Sequence, residues 1–216
     1  MHFQKRPGSL RFLITAGGTR EHIDPVRFIS NASSGRTGFA IARAALNAGH
    51  KVTLVTGPTI QRPPNEVRIV KVETAAEMFQ AVKKHFNKCD CLIMAAAVAD
   101  YTVAKPSKTK IKKTNKSLTI KLKPTADILK WAGRHKTRSQ VVVGFALEDK
   151  AMRARAEKKL KEKNLDMVIA NSPAAIGCDK STVHIKTLNH KWIKLPRATK
   201  AALARHIIRL MRMLVV

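Results

Sequence analysis

Arg11-Phe12-Leu13-Ile14-Thr15-Ala16-Gly17-Gly18-Thr19 is the stretch on which the reading of this chain turns. A short apolar run closed by a glycine pair reads as a buried strand over 11–15 that stops at a turn. A loop of about twenty residues then runs to Gly35 before a helix over 37–48, with Phe39, Ile41, Ala45 and Leu46 on compatible faces and Gly49 as its stop. Loops of that length inside a compact domain are usually functional. The same alternation continues outward. Strands are expected at 51–56, 67–72, 91–97, 118–122, 141–145 and 166–170. Helices are expected at 75–86, 126–135 and about 150–163, the first opened by Thr74 with Glu77 completing a capping box.

Strands alternating with helices give an α/β fold, a Rossmann-like three-layer sandwich with a mostly parallel sheet. The end of the chain departs from that rhythm. Segments 182–187 and 192–195, separated by Leu-Asn-His-Lys, read as a C-terminal β-hairpin appendage, with an amphipathic closing helix at about 198–214. The expected organisation is an N-terminal extension over 1–10 and one domain over 11–216.

Composition narrows the function classes. The 216 residues are 44% hydrophobic, enough for a real core, so disorder is excluded for most of the chain. The longest uncharged apolar run, Cys91 to Ala99, is far short of the roughly 20 residues that span a bilayer. Lys5 and Arg6 resemble a signal-peptide start, but Arg11 interrupts the stretch behind them, so a cytoplasmic protein without a membrane role is expected. Cys89, Cys91 and Cys178 suit neither a disulfide framework nor a paired zinc site and read as core thiols.

The chain has 42 Lys+Arg against 14 Asp+Glu, a formal charge of +28. From Lys105 to Lys123 there are eight lysines and no acid, read as a flexible loop followed by a strand, or simply a solvated one. Such a field concentrates anions, whether nucleotides, phosphorylated metabolites or nucleic acid. A basic nucleic-acid-binding protein on the same fold is therefore the alternative reading. Aromatic residues make up only 5% and none interleaves with the lysines, so the stacking platform for single strands is missing. Nucleic-acid binding is expected only as a non-specific effect of charge.

In open α/β sheets ligands bind beyond the C-terminal ends of the strands, so the loops at 16–36, 98–113 and 146–149 should converge. Ser33-Ser34-Gly35 places small residues at a helix N-terminus, where free N–H groups favour a phosphate; the same triplet is also simply a good cap. A dinucleotide site wants G-x-G-x-x-G and an acid after the second strand, and both are missing. Tyr101-x-x-x-Lys105 copies a dehydrogenase spacing but lies in a loop before Pro106.

The run Gly17-Gly-Thr-Arg-Glu-x-Ile-Asp-Pro-Val-Arg-Phe-Ile-Ser-Asn31-x-Ser-Ser-Gly35 closely resembles the signature of phosphopantothenoylcysteine synthetases, the second activity of bacterial bifunctional coenzyme A biosynthesis proteins. Ala95-Ala-Ala-Val-Ala-Asp100, Lys110-Ile-Lys-Lys113, Pro124-Thr-Ala-Asp127-Ile-Leu, Val143-Gly-Phe145-Ala-x-Glu148 and Lys163-Asn-Leu-Asp166 follow in the family's order. The resemblance implies a ligase that activates 4′-phosphopantothenate with CTP as an acyl-cytidylate and joins it to L-cysteine. Mg²⁺ serves the triphosphate. With so few residues before 11, a stand-alone synthetase or an excised domain is expected, without flavin.

The resemblance also implies roles. Asn31 and Lys110 are the catalytic candidates, with Arg27 and Asn31 binding the acid. Ser33, Ser34, Gly35 and Lys110 would meet the triphosphate. Met94, Ala95, Ala96, Asp100, Ala126, Asp127, Ile128, Leu129 and Phe145 would form the nucleoside pocket. Lys159 and Lys163, four apart on one helix face, would add further nucleotide contacts. The sequence singles out no ligand for the Mg²⁺. Arg36 and Thr37 stand where the family shows Lys-Met, and the segment 173–180 departs from the pattern before the hairpin, which the family uses for homodimer contacts.

Overall fold

The computed structural model describes residues 8–188 and 190–215. Most of the expected extension over 1–10 therefore lies outside the described residues, as do Asn189, one of the four residues expected between the hairpin strands, and Val216. The chain runs β1 (Arg11–Ala16), β2 (Arg20–His22), β3 (Phe28–Ser30), α1 (Arg36–Asn47), β4 (Lys51–Thr56), β5 (Arg68–Lys71), α2 (Ala75–Phe86), β6 (Cys91–Met94), β7 (Tyr101–Val103), β8 (Leu122–Pro124) and α3 (Ile128–His135). It continues with β9 (Val141–Leu147), α4 (Met152–Glu162), β10 (Met167–Asn171), a single 3-10 turn (Pro173–Ala175), β11 (Lys180–Thr187), β12 (Ile193–Thr199) and α5 (Lys200–Leu214).

Eight strands form one sheet in the order β12-β11-β10-β9-β6-β1-β4-β5. The pairs from β10 through to β5 are parallel, and β10-β11 and β11-β12 are antiparallel. Strand periodicity sends alternate residues to opposite faces. Phe12, Ile14, Cys91, Ile93, Val141, Val143, Met167 and Ile169 pack on α1 and α5. Leu13, Leu92, Met94, Val142, Val168 and Ala170 pack under α2, α3 and α4. Two covered faces make the three layers, and explain why these strands read as continuous apolar runs. The hairpin forms as expected and is hydrogen-bonded to β10, so it extends the sheet; Pro196, which has no N–H to give, sits in the edge strand β12.

Some elements differ from the sequence reading. The strand expected at 118–122 is instead β8, Leu122–Pro124, paired antiparallel with Tyr101–Val103 outside the main sheet. Leu118 stays 57% exposed because no neighbour covers it. The strand from Cys91 ends at Met94, since Ala96 N–H already turns to Thr15 Oγ1 at 3.1 Å. The first long loop contains its own hairpin, β2 with β3. Helix α3 begins at Ile128, with Asp127 as its cap rather than inside it. Cys89 and Cys91 are buried as expected; Cys178 is exposed, because it lies on the strap between the 3-10 turn and β11.

Helix α2 shows how the sequence dictates an element. Thr74 Oγ1 accepts the Glu77 N–H at 3.1 Å, as a capping residue should. The Glu77 carboxylate reaches back to the Glu73 N–H at 2.7 Å, one residue earlier than the usual box. Among the described residues, no helix is long and apolar enough to cross a membrane.

Candidate functional site

Beyond the C-terminal ends of β1, β6, β9 and β10 lies a cleft of about 780 Å³. Its walls come from 31–37, 94–100, 125–129, Phe145, Leu147, Glu148, Lys159, Lys163, Asn171, 175–178 and Lys200. Every residue expected at the nucleotide site lines it except Lys110, and Asn31 lines it too.

The first wall is the start of α1. Gly35 takes φ +74, a left-handed conformation that costs glycine least, and a Cβ there would meet Thr59 Oγ1 at 3.1 Å and the Gly17 nitrogen at 3.3 Å. Ser33 Oγ accepts the Gly35 N–H at 3.3 Å and Ser34 O accepts the Thr59 hydroxyl at 2.9 Å. No side chain caps α1, and no acid sits in its first turn. The first N–H groups of a helix have no carbonyl of their own, so here they remain available to an anion. Gly35 is itself the N-cap residue of α1, and neither serine of the triplet adds a side-chain cap.

The floor is the segment 94–100. Thr15 and Thr19, both fully buried, hold it: Ala96 N–H donates to Thr15 Oγ1 at 3.1 Å and Ala99 N–H to Thr19 Oγ1 at 3.0 Å. Thr125 closes the other side, its hydroxyl donating to Ala99 O at 2.6 Å and its N–H to Asp100 O at 2.9 Å. The Asn31 side-chain nitrogen donates to Ala97 O at 3.3 Å and Val98 O at 3.1 Å. Both partners are carbonyls, which fixes the nitrogen on that side and turns Oδ1 away.

The third wall is charged. Asp127 accepts the Lys130 N–H at 2.9 Å and pairs with Lys163 at 2.8 Å. Burial pushes the Asp127 carboxyl up, but the Lys163 and Lys130 donors outweigh it and hold it below its ordinary value. Lys159 is deeper and donates to Phe145 O at 2.6 Å. Burial pulls its ammonium below the usual lysine value and Lys163 adds to this, while Glu148, Asp127 and Asp100 pull the other way. The result is a polar groove with Lys159 and Lys163 on one wall and free helix N–H groups on another.

Arg27 and Lys110 lie outside this cleft. Arg27 pairs with buried Asp24 and donates to Ile111 O at 2.7 Å, so it ties the lysine-rich loop to β2-β3. Lys110 is exposed on that loop. The sequence reading missed Leu147, the strap 175–178 and Lys200 as cleft residues. Lys200 opens α5, and nothing short of the sheet order shows that α5 begins at this edge. Among the described residues, no group of three or more His, Cys, Asp or Glu side chains is placed to hold a metal ion.

Residues 8–214 match the model of the DNA/pantothenate metabolism flavoprotein C-terminal domain. The chain is 44% identical over 204 residues to a cysteine/cysteine sulfinic acid decarboxylase of an unknown prokaryotic organism, covering 92% of this chain and 57% of that protein. It is 41% identical over 204 residues to the coenzyme A biosynthesis bifunctional protein CoaBC of Borreliella burgdorferi, covering 93% of this chain and 52% of the relative. It thus spans little more than half the length of these two relatives. The crystal structure of the C-terminal domain of a coenzyme A biosynthesis bifunctional protein CoaBC matches with a TM-score of 0.84 at 40% identity, covering 97% of both chains.

Proposed function

The chain belongs to the family of the DNA/pantothenate metabolism flavoprotein C-terminal domain, and from that premise we propose that it is a phosphopantothenate–cysteine ligase of coenzyme A biosynthesis. The carboxylate of 4′-phosphopantothenate attacks the α-phosphorus of CTP, giving an acyl-cytidylate and releasing pyrophosphate. The amine of L-cysteine then attacks the acyl carbon, loses its proton, and forms the amide as CMP leaves. One observation carries this reading: an α1 N-terminus without a side-chain cap and the half-buried Lys159 line one cleft together with Asn31. Two polyanions held side by side need that kind of charge arrangement.

In this reading Ser33, Ser34 and Gly35 meet the triphosphate, a contact of order 1 kcal/mol at a partly buried helix start. Met94, Ala95, Ala96 and Asp100 face the nucleoside, and Ala126 to Leu129 with Phe145 complete its pocket. Lys159 and Lys163 neutralise phosphate charge. Asn31 presents its carboxamide to the acyl group, and donation to an acyl oxygen requires it to leave Ala97 O or Val98 O. Lys110 closes over the phosphates and Arg27 meets the acid. Since the cleft offers no cluster of metal ligands among the described residues, Mg²⁺ fits as an ion carried on the triphosphate. Residues 11–216 act as one synthetase domain, cytoplasmic and homodimeric through the hairpin, with no flavin of their own.

Purified protein with phosphopantothenate, cysteine, Mg²⁺ and each nucleotide in turn, followed by pyrophosphate release, tests this. Release that depends on the acid and is faster with CTP than with ATP is expected. Equal rates would overturn the nucleotide choice, and release independent of the acid would overturn the ligase.

A further inference from the structure

The strap over 175–179 joins the starts of two helices. Arg36, the first residue of α1, donates to Gly177 O at 3.1 Å and pairs with Asp179 at 2.6 Å. Lys200, the first residue of α5, gives its backbone N–H to Asp179 O at 3.1 Å. Its ammonium donates to Ser181 Oγ at 3.0 Å and lies 3.4 Å from Ala175 O. Lys200 therefore stands on the same wall of the cleft as the Ser33–Gly35 turn, one strap away from it, and lines the cleft itself.

This lysine differs from the many solvated ones. It is partly buried, and among the described residues no carboxylate lies within ion-pair distance of it. The one acid on the strap, Asp179, is taken by Arg36. No acid follows Asp179 anywhere in the sequence, so neither β11, β12 nor α5 supplies one. An ammonium drawn out of water and satisfied only by neutral oxygens is held at a cost. Burial accordingly lowers its pKa, with Cys178 opposing. An anion in the cleft would offset that cost.

We propose that Lys200 is a phosphate-binding residue of this cleft, holding the terminal phosphates of the nucleoside triphosphate and so the pyrophosphate that leaves. The assignment rests on the ligase reading above. When the acid's carboxylate oxygen bonds to the α-phosphorus, the bond from that phosphorus to the bridging oxygen breaks. The electron pair goes to pyrophosphate, whose added charge Lys200 meets without a proton changing hands. The neighbouring strap fixes where the ammonium points, because its backbone and Ser181 hold two of its directions.

The experiment compares binding of CTP, CMP and inorganic pyrophosphate, each with Mg²⁺, to the wild type, Lys200→Met and Lys200→Arg by calorimetry. Lys200→Met is expected to weaken CTP and pyrophosphate by roughly ten- to a hundredfold, the scale of one charge-assisted hydrogen bond. CMP affinity should change less than about twofold, and Lys200→Arg should recover most of the loss. If Lys200→Met melts lower without ligand, Lys200→Gln, which keeps a donor for Ser181, carries the same comparison. Parallel losses for CTP and CMP, no loss for either, or a change confined to the KM of the acid would overturn the assignment. Failure of the ligase reading would show separately, as wild-type protein that binds pyrophosphate but releases none from CTP in the presence of the acid.

Discussion

Asp24 and Ile111 lie 87 positions apart and are joined by one hydrogen bond, the Ile111 N–H donating to Asp24 Oδ2 at 3.1 Å. Asp24 is almost fully buried and also accepts the Val26 and Arg27 N–H groups, both at 2.9 Å. Arg27 completes the latch by pairing with Asp24 and donating to Ile111 O. Residue 111 is thus held on both its backbone groups, and Lys110 is its immediate neighbour. A loop rich in lysine, with no core of its own, takes its position from this anchor.

Asp24→Asn should free the loop. Trypsin is expected to cut between 105 and 123 faster in the variant than in the wild type; equal cutting would mean that the latch does not hold the loop. Burial pushes the Asp24 carboxyl up, but hydrogen bonds from Arg27 and from the N–H groups of Val26, Arg27 and Ile111 outweigh it and hold it well below its ordinary value. A depressed folded value stabilises above the ordinary carboxylate pKa of about 3.9 and is lost as pH falls below it. The wild type should therefore lose melting temperature on acidification by an amount that Asp24→Asn lacks.

Lys110→Gln separates chemistry from fold. The side chain is exposed and outside the cleft, so its loss should leave the stability within the small range of surface substitutions, about 0.5 kcal/mol. Pyrophosphate release should fall by at least roughly tenfold if the loop closes over bound phosphates, the scale of one charge-assisted contact. A variant that melts several degrees lower and keeps its activity would make Lys110 structural.

How much of this was legible beforehand depends on what each element leans on. β1, β4, β6, β9 and β10 were readable because each is buried on both faces, which leaves an uninterrupted apolar run in the sequence. Thr74 and Glu77 announced α2 because capping is local chemistry. Leu118, Ile120 and Leu122 alternate as a strand should, yet a strand needs a neighbour, and β7 reaches only the residues from Leu122 onward. The Ser33–Gly35 turn was ambiguous in sequence, since the same residues cap helices; only the hydrogen bonds show that Gly35 takes the N-cap position while neither serine side chain caps α1. Lys159 and Lys163 were assigned to the nucleotide by the family resemblance, and their spacing showed only that they share a helix face; the partial burial of Lys159 against Phe145 O depends on β9 lying beneath α4. Lys200 left no local signal at all.

Gly133→Ala tests how α3 positions Lys163. In the middle of a helix alanine ordinarily stabilises relative to glycine by roughly 0.5–1 kcal/mol. Here a Cβ would stand 1.8 Å from Lys163 O and 3.0 Å from Asn164 O, backbone atoms that must move. Asn164 Nδ2 already donates to Gly133 O at 2.7 Å, so the two segments are in direct contact. The sign should reverse to a loss of about 1–3 kcal/mol, as for overpacked cores. Nucleotide affinity should fall as well, because Lys163 would be shifted from Asp127. A variant that melts higher would show that α3 and the end of α4 are not closely packed.

Asn31→Asp addresses the acyl-transfer step. The change keeps the size but replaces the nitrogen that donates to Ala97 O and Val98 O with an oxygen that repels both. The side chain must then turn into the cleft, where it would face a carbonyl about to become negative as the cysteine amine attacks. Losing one oxyanion donor slows such a step by roughly 10²–10³-fold, and the added charge should slow it further. Acyl-cytidylate formation depends on the donor less, because there the carboxylate is itself the nucleophile and its charge falls. The variant should therefore release pyrophosphate in a single burst and accumulate an acyl-cytidylate that acid quenching traps. A folded variant that never forms the intermediate would move Asn31 to binding of the acid, and normal turnover would remove it from the site.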